Sequence, residues 1–210
     1  TPVDIQVWMG DAPETYTEMI TDSVHEFSYS AYREPKLVIF DKGSNILKDA
    51  TFRKPAEQWI GQLLHAEDAA DRVAAVSELR WTVDTPSVKS ALLDALIHDR
   101  FWGVRYEAAL ALADSKVPIG DELGPAYGDR DARVRGAVIR ALGNFRGELI
   151  VKTLRHAFDS DSSYVVAANA IRGLVKSDSA GSMGICFEGL KRDSHDDAVR
   201  TSALRWLATY

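Results

Sequence analysis

Five histidines (His25, His65, His98, His156 and His195) and one cysteine (Cys186) are the side chains best suited to bind a metal or attack a substrate. A zinc-hydrolase helix needs two histidines four residues apart with a glutamate between them, because that spacing aims both imidazoles from one helix face at one ion. No two histidines here are closer than 33 residues, and His-Glu-x-x-His does not occur. His25-Glu26 is its nearest fragment, in a stretch of strand-like alternation. His65, His98 and His156 each read as the end of a first helix, where an imidazole meets free carbonyls and the negative end of the dipole. Gly-x-Ser-x-Gly and a glycine-rich phosphate loop are absent, and Cys186 shares an apolar stripe with Ile185 and Leu190, as a small core residue does. The sequence therefore assigns no catalytic and no metal-ligating residue to this chain.

Charged residues recur instead. Residues 99–112 read DRFWGVRYEAALAL and residues 129–142 read DRDARVRGAVIRAL, so Asp99 and Arg105 are echoed by Asp129 and Arg135. An aspartate at a helix start accepts free backbone N–H groups and meets the positive end of the dipole. An arginine one and a half turns later reaches the aspartate of the neighbouring copy, and a bidentate ladder of such pairs would join copy to copy. Further copies follow: Arg72 and Leu79 precede Arg105 and Leu112, Arg172 falls over Arg140, and Val199 falls over Val166. The five copies stand at intervals of 33, 30, 32 and 33. Ala167 replaces the ladder arginine in the fourth copy, and Ala66 replaces the aspartate in the first, where Glu67 and Asp68 are the expected substitutes.

Each copy has an upstream partner with its own apolar stripe, at 56–66, 88–98, 119–127, 148–158 and 181–190, and Pro55 suits a first helical position. The unit is helix, tight turn, helix. So short a pair cannot bury its own apolar face, so the units must stack into a mainly α, HEAT-like α-solenoid of about five helix pairs over residues 55–210. The pattern of Asp, then Val-Arg, then Ala and Leu at helical spacing resembles the HEAT repeat, most closely in VRYEAALAL and VRGAVIRALG.

Aromatic residues at places the repeat does not demand are the candidates for surface recognition: Trp102, with Phe101 before it and Tyr106 one turn on, and Trp81. The competing reading is packing against the β part or another domain. Trp206 and Tyr210 are expected to cap the open end of the stack.

Before residue 52 the period is that of strands. Val3, Ile5, Val7 and Met9 alternate with polar or aromatic neighbours, His25, Phe27 and Tyr29 alternate again, KLVIFD (36–41) suits a strand covered on both faces, and NILK (45–48) suits a return strand. The division expected is a β-strand subdomain, part of a sandwich, over 1–52, and the solenoid over 55–210.

With 31 Asp and Glu against 25 Lys and Arg, the formal charge is −6. Generic attraction to nucleic acid or to an anionic membrane surface is not expected. No apolar run approaches the roughly 18–20 residues that span a bilayer. The lone cysteine fits a reducing or an oxidising compartment.

The join between the halves resembles one junction in particular. Pro35, Val38, Phe40, Asp41, Leu47 and Lys48, then the helix around Trp59 and the turn His65-Ala66-Glu67-Asp68, are similar to the point where the β-sandwich of bacterial M1-family zinc aminopeptidases passes into its helical domain. The resemblance implies a non-catalytic C-terminal portion of such a peptidase, shaping access to the active-site cavity, with zinc and the catalytic domain upstream of Thr1. The partner is then the remainder of the parent chain, and peptide substrate is met only through it. An unpaired strand edge also offers a homodimer contact. A HEAT-repeat interaction scaffold without enzymatic activity fits residues 55–210 equally well, as does an M1-like parent that has lost its zinc site.

Overall fold

The computed structural model describes residues 1–48, 51–177 and 181–209. The fold is mainly helical, with three strands followed by ten α-helices among the described residues. It divides into two compact units, Thr1–Thr82 and Val83–Tyr210. The change of period near residue 52 thus lies inside the first unit, which holds the sheet together with the first helix pair.

In the first unit, β1 (Pro2–Trp8) lies between β2 (Pro13–Met19) and β3 (Leu37–Phe40), antiparallel to both. The pleat sends Ile5, Val7 and Met9 to one face with Val38 and Phe40, and Leu37 and Ile39 to the other with Trp8 and Ala66. β3 is therefore covered on both sides, as its continuous apolar run required. Two expected strands are not formed. Residues 21–35 make no ladder, but Phe27 and Tyr29 pack on the sheet, Tyr29 stacking on Tyr16 with centroids 4.3 Å apart. The alternation there serves packing on a face rather than pairing at an edge. Residues 45–48 are not a return strand either, because Asp41 captures the backbone: its buried carboxylate accepts from Asn45 N at 3.0 Å, from Ile46 N at 3.2 Å and from Lys48 Nζ. Leu47 is left fully exposed.

This corner also ties the sheet to the helices α1 (Ala56–His65) and α2 (Ala69–Leu79). Gly43 sits at φ +80, which favours glycine, and donates its N–H to both oxygens of buried Asp71 at 3.1 and 2.9 Å. Lys42 pairs with Asp68 at 2.9 Å and with Glu67 at 3.6 Å, so those two acids serve the β corner. Pro55 occupies the cap of α1, with ψ 153, and the helix starts at Ala56.

The second unit holds α3 (Pro86–His98), α4 (Trp102–Leu112), α5 (Gly120–Leu123), α6 (Ala132–Leu142), α7 (Glu148–Ser160), α8 (Tyr164–Ser177), α9 (Ser182–Leu190) and α10 (Ala198–Leu207). The first helix of the third pair is cut short: after Gly120–Leu123 the chain tightens into 3-10 turns over Gly124–Gly128, where Pro125 lacks the N–H that an α ladder uses. α4 packs on α6, α6 on α8 and α8 on α10 along their lengths, while the first helices pack chiefly on their own partners. The second helices thus form a continuous row. Gly143 and Gly173 permit a close approach where α6 meets α8: a Cβ added at Gly143 would stand 2.8 Å from the Cα of Gly173. The core runs through this row, with Val104, Leu112, Val138, Ile139, Ile171 and Val199 inaccessible to solvent or nearly so.

Candidate functional site

The ladder residues lie at the turns within the helix pairs. Asp99, Asp129 and Asp161 end the first segments of their units rather than starting the second helices, each with extended ψ. Each carboxylate folds forward to accept the N–H two residues on (Phe101, Asp131 and Ser163, all at 2.8 Å), an Asx turn that feeds the chain into the next helix. The helix's own cap, where a side chain supplies one, is a different residue: Asp131 accepts from Arg133 N at 2.9 Å. Asp197 heads α10 in left-handed geometry without a side-chain cap bond, and Ser194 Oγ accepts from Val199 N instead.

Across the units the arginines close the ladder. Arg105 reaches Asp129 at 2.6 and 3.1 Å, and Arg135 reaches Asp161 at 2.9 and 3.0 Å. Each also donates back to the carbonyl six residues earlier, that of Asp99 at 2.9 Å and of Asp129 at 3.0 Å. Burial pushes the Asp129 and Asp161 carboxyls up, but the guanidinium forks and the Asx-turn N–H groups outweigh it and hold both below the ordinary value. Tyr127 adds its hydroxyl to Asp161 at 3.1 Å, and burial and that carboxylate push the phenol up to about 12. In the fourth unit the rung ends with buried Ala167, and Asp193 is met by Arg200 of its own unit.

The aromatic candidates separate. Trp102 is the first residue of α4, half-buried, in contact with Phe101 and Tyr106. The Arg133 guanidinium of the next unit lies 3.3 Å from its ring centroid, itself held by Asp131 at 2.7 Å. Trp102 thus packs on the Arg133 side chain of the neighbouring repeat. Trp81 stands in a 3-10 turn, 83% exposed. Tyr210 lies outside the described residues.

The histidines stay apart. His65 faces Trp8, His98 lies 4.0 Å from Asp94, His156 meets Tyr127 edge-on inside α7 rather than at its end, and His195 lies beside Asp196. No group of three or more His, Cys, Asp or Glu among the described residues is placed to hold a metal ion, so these residues do not fit a zinc site. Cys186 is fully buried, and burial raises its thiol. No described helix is long and apolar enough to cross a membrane.

What the second helices do form is a groove of about 610 Å³ crossing α6, α8 and α10, lined by Arg140, Asn169, Arg172, Asp196, Arg205 and Trp206 among others. Trp206 therefore lines this groove instead of only closing the stack. Sequence reasoning used Arg140 and Arg172 to set the repeat register and did not read them as a site; an arginine on an exposed helix face looks the same whether solvated or waiting for a partner.

No curated protein matches this chain. Residues 120–208 match the family model described as HEAT repeats, so that region of the chain, which holds the groove, consists of HEAT repeats.

Proposed function

We propose that this chain is a protein-interaction scaffold whose working surface is the row of second helices. The observation that carries this reading is the groove across α6, α8 and α10, where three successive repeats present Arg140, Arg172 and Arg205 beside Trp206. A stack of paired helices makes an extended concave surface of this kind, and partners bind along it. The test is a displayed library of random peptides selected on the full 210-residue chain, with hydrogen exchange mapping the bound peptides. The scaffold reading expects protection on α6, α8 and α10. Failure to enrich any peptide, or protection confined to α7 and α9, overturns it.

A second reading rests on the corner around Asp41, where Asp41 and Lys48, two of the residues resembling the M1-peptidase junction, pair with each other. On this reading the chain shapes access to a zinc peptidase site located elsewhere in a longer parent, and its partner is that catalytic domain. Sequencing the gene upstream of the codon for Thr1 tests it. A His-Glu-x-x-His with a downstream glutamate supports the reading, and an upstream sequence without them overturns it.

A further inference from the structure

We propose that the groove across α6, α8 and α10 binds an acidic, extended segment of a partner protein, whose carboxylates, three residues apart, meet Arg140, Arg172 and Arg205 in turn. The proposal rests on the scaffold reading and adds the chemistry of the partner.

The three arginines occupy one repeat position, at intervals of 32 and 33 residues, and all three line the same groove. None makes an ion pair or a side-chain hydrogen bond to another described residue. Elsewhere in this unit Arg105, Arg135, Arg155 and Arg200 are all held by carboxylates. The one carboxylate in the lining is Asp196, which is 86% exposed and lies 3.4 Å from His195. Three guanidinium groups against one carboxylate leave the groove cationic on a chain whose formal charge is −6. Lys176, one turn on from Arg172, has its ammonium held below the ordinary value by burial first and then by repulsion from Arg172 and Arg146.

Geometry selects the ligand's conformation. Packed helices stand roughly 8–10 Å apart, so arginines at equivalent positions are about that far apart. A polyproline II chain rises roughly 3.1 Å per residue with three residues per turn. Side chains at every third position then share one side and advance by about one helix spacing. A β-strand, with its period of two, sends residues three apart to opposite sides. Trp206 adds a flat apolar wall of the kind on which proline-rich segments dock. A nucleic acid fits less well, because the chain as a whole is acidic and the groove offers one aromatic face for stacking.

The experiment is fluorescence anisotropy with the full chain and a labelled peptide of four Glu-Pro-Ala triplets. Binding is expected that weakens with salt, is lost with Gln-Pro-Ala triplets, and falls by about tenfold or more in each of Arg140→Glu, Arg172→Glu and Arg205→Glu. Arg140 and Arg205 are exposed, so their variants report binding even if Arg172→Glu unfolds. The triple reversal is expected to bind Lys-Pro-Ala triplets instead. Equal affinity for the Gln peptide, or variants without effect, overturns the proposal. So does tighter binding of a short oligo-dT that is lost in the same variants, since the arginines then read phosphate. If the Glu peptide fails while library-selected neutral peptides still protect α6, α8 and α10, the acidic chemistry falls and the scaffold reading stands. If neither binds, both fall.

Discussion

Arg105 holds Asp129 with both arms of its guanidinium while its third nitrogen bonds back to the carbonyl of Asp99, so one side chain joins the turns of two successive repeats. Both partners are largely buried, with side chains 5% and 11% exposed. Arg105→Ala strands a buried carboxylate and is expected to destabilise the protein by about 3 kcal/mol in urea unfolding. The double variant Arg105→Met with Asp129→Leu is expected to recover most of that loss, because no charge is left without its partner. A double variant as unstable as the single one would show that the pair does more than satisfy its own charges.

The same rungs make an acid limit. Asp129 and Asp161 are held below the ordinary value of 3.8 in the folded state. A depressed carboxylate contributes stability that is fully present above its unfolded value and lost as pH falls through its folded value. The ladder is therefore expected to hold at pH 5 and weaken below 3.8. Asp161→Asn should flatten the acid limb of a stability-against-pH curve. An unchanged limb would mean that the acid sensitivity lies in other carboxylates.

The solenoid was legible because its signals are local and repeated: helical periodicity, an Asp and an Arg six residues apart, and intervals near 32. The position of Asp99 was misread by two residues because an Asx turn and an N-cap draw on the same residue type, and only the accepting geometry separates them. His25, Phe27 and Tyr29 alternate as a strand does, but alternation reports which side faces the sheet, not whether a neighbour offers an edge. The groove was illegible for another reason. That Arg140, Arg172 and Arg205 line one groove follows from how the second helices pack, and between α6 and α8 that packing is close because of Gly143 and Gly173, whose small size carries no periodic signal.

Gly143 is accordingly expected to resist enlargement although its backbone is helical (φ −63). Gly143→Ala would place a methyl 2.8 Å from the Cα of Gly173, where backbone and not a flexible side chain must yield. A loss of about 1–3 kcal/mol is expected, against a gain of about 0.5–1 kcal/mol for Gly184→Ala, a helical glycine where nothing lies within 4 Å of the added carbon. Thermal melts of the two variants compare these sites directly, and similar melting temperatures would sink the close-approach argument.

The two candidate tryptophans should behave oppositely. Trp102→Ala removes a ring beneath the Arg133 guanidinium at 3.3 Å and contacts with Phe101 and Tyr106. A partly buried stack of this kind contributes about 1–2 kcal/mol. Trp81→Ala removes a side chain from an 83% exposed position, and surface changes of that kind fall within about 0.5 kcal/mol. Chemical denaturation of both variants tests the contrast. A larger loss at Trp81 would reverse the assignment of Trp102 as inter-repeat packing.

Lys54 gives the first unit its own pH dependence. Its ammonium donates to the Val38 carbonyl at 3.0 Å and to the Gln62 side chain, and lies 3.9 Å from the Trp59 ring centroid and 5.2 Å from that of Phe52. Burial pushes it from 10.5 down to about 8, against the pull of Asp71 and Glu78. At neutral pH it is still protonated. Between pH 8 and 10.5 the unfolded chain keeps a proton that the folded chain has released, so stability is expected to rise with pH across that window. Lys54→Met loses the hydrogen bonds at every pH, but it removes the titration as well. The measurement is therefore the difference in unfolding free energy between the parent and the variant: constant below pH 8, and shifting in favour of the parent from there to 10.5. A difference that stays flat through that window would mean that Lys54 keeps its proton equally well in both states, and that the indole face and carbonyl oxygens compensate fully for its burial.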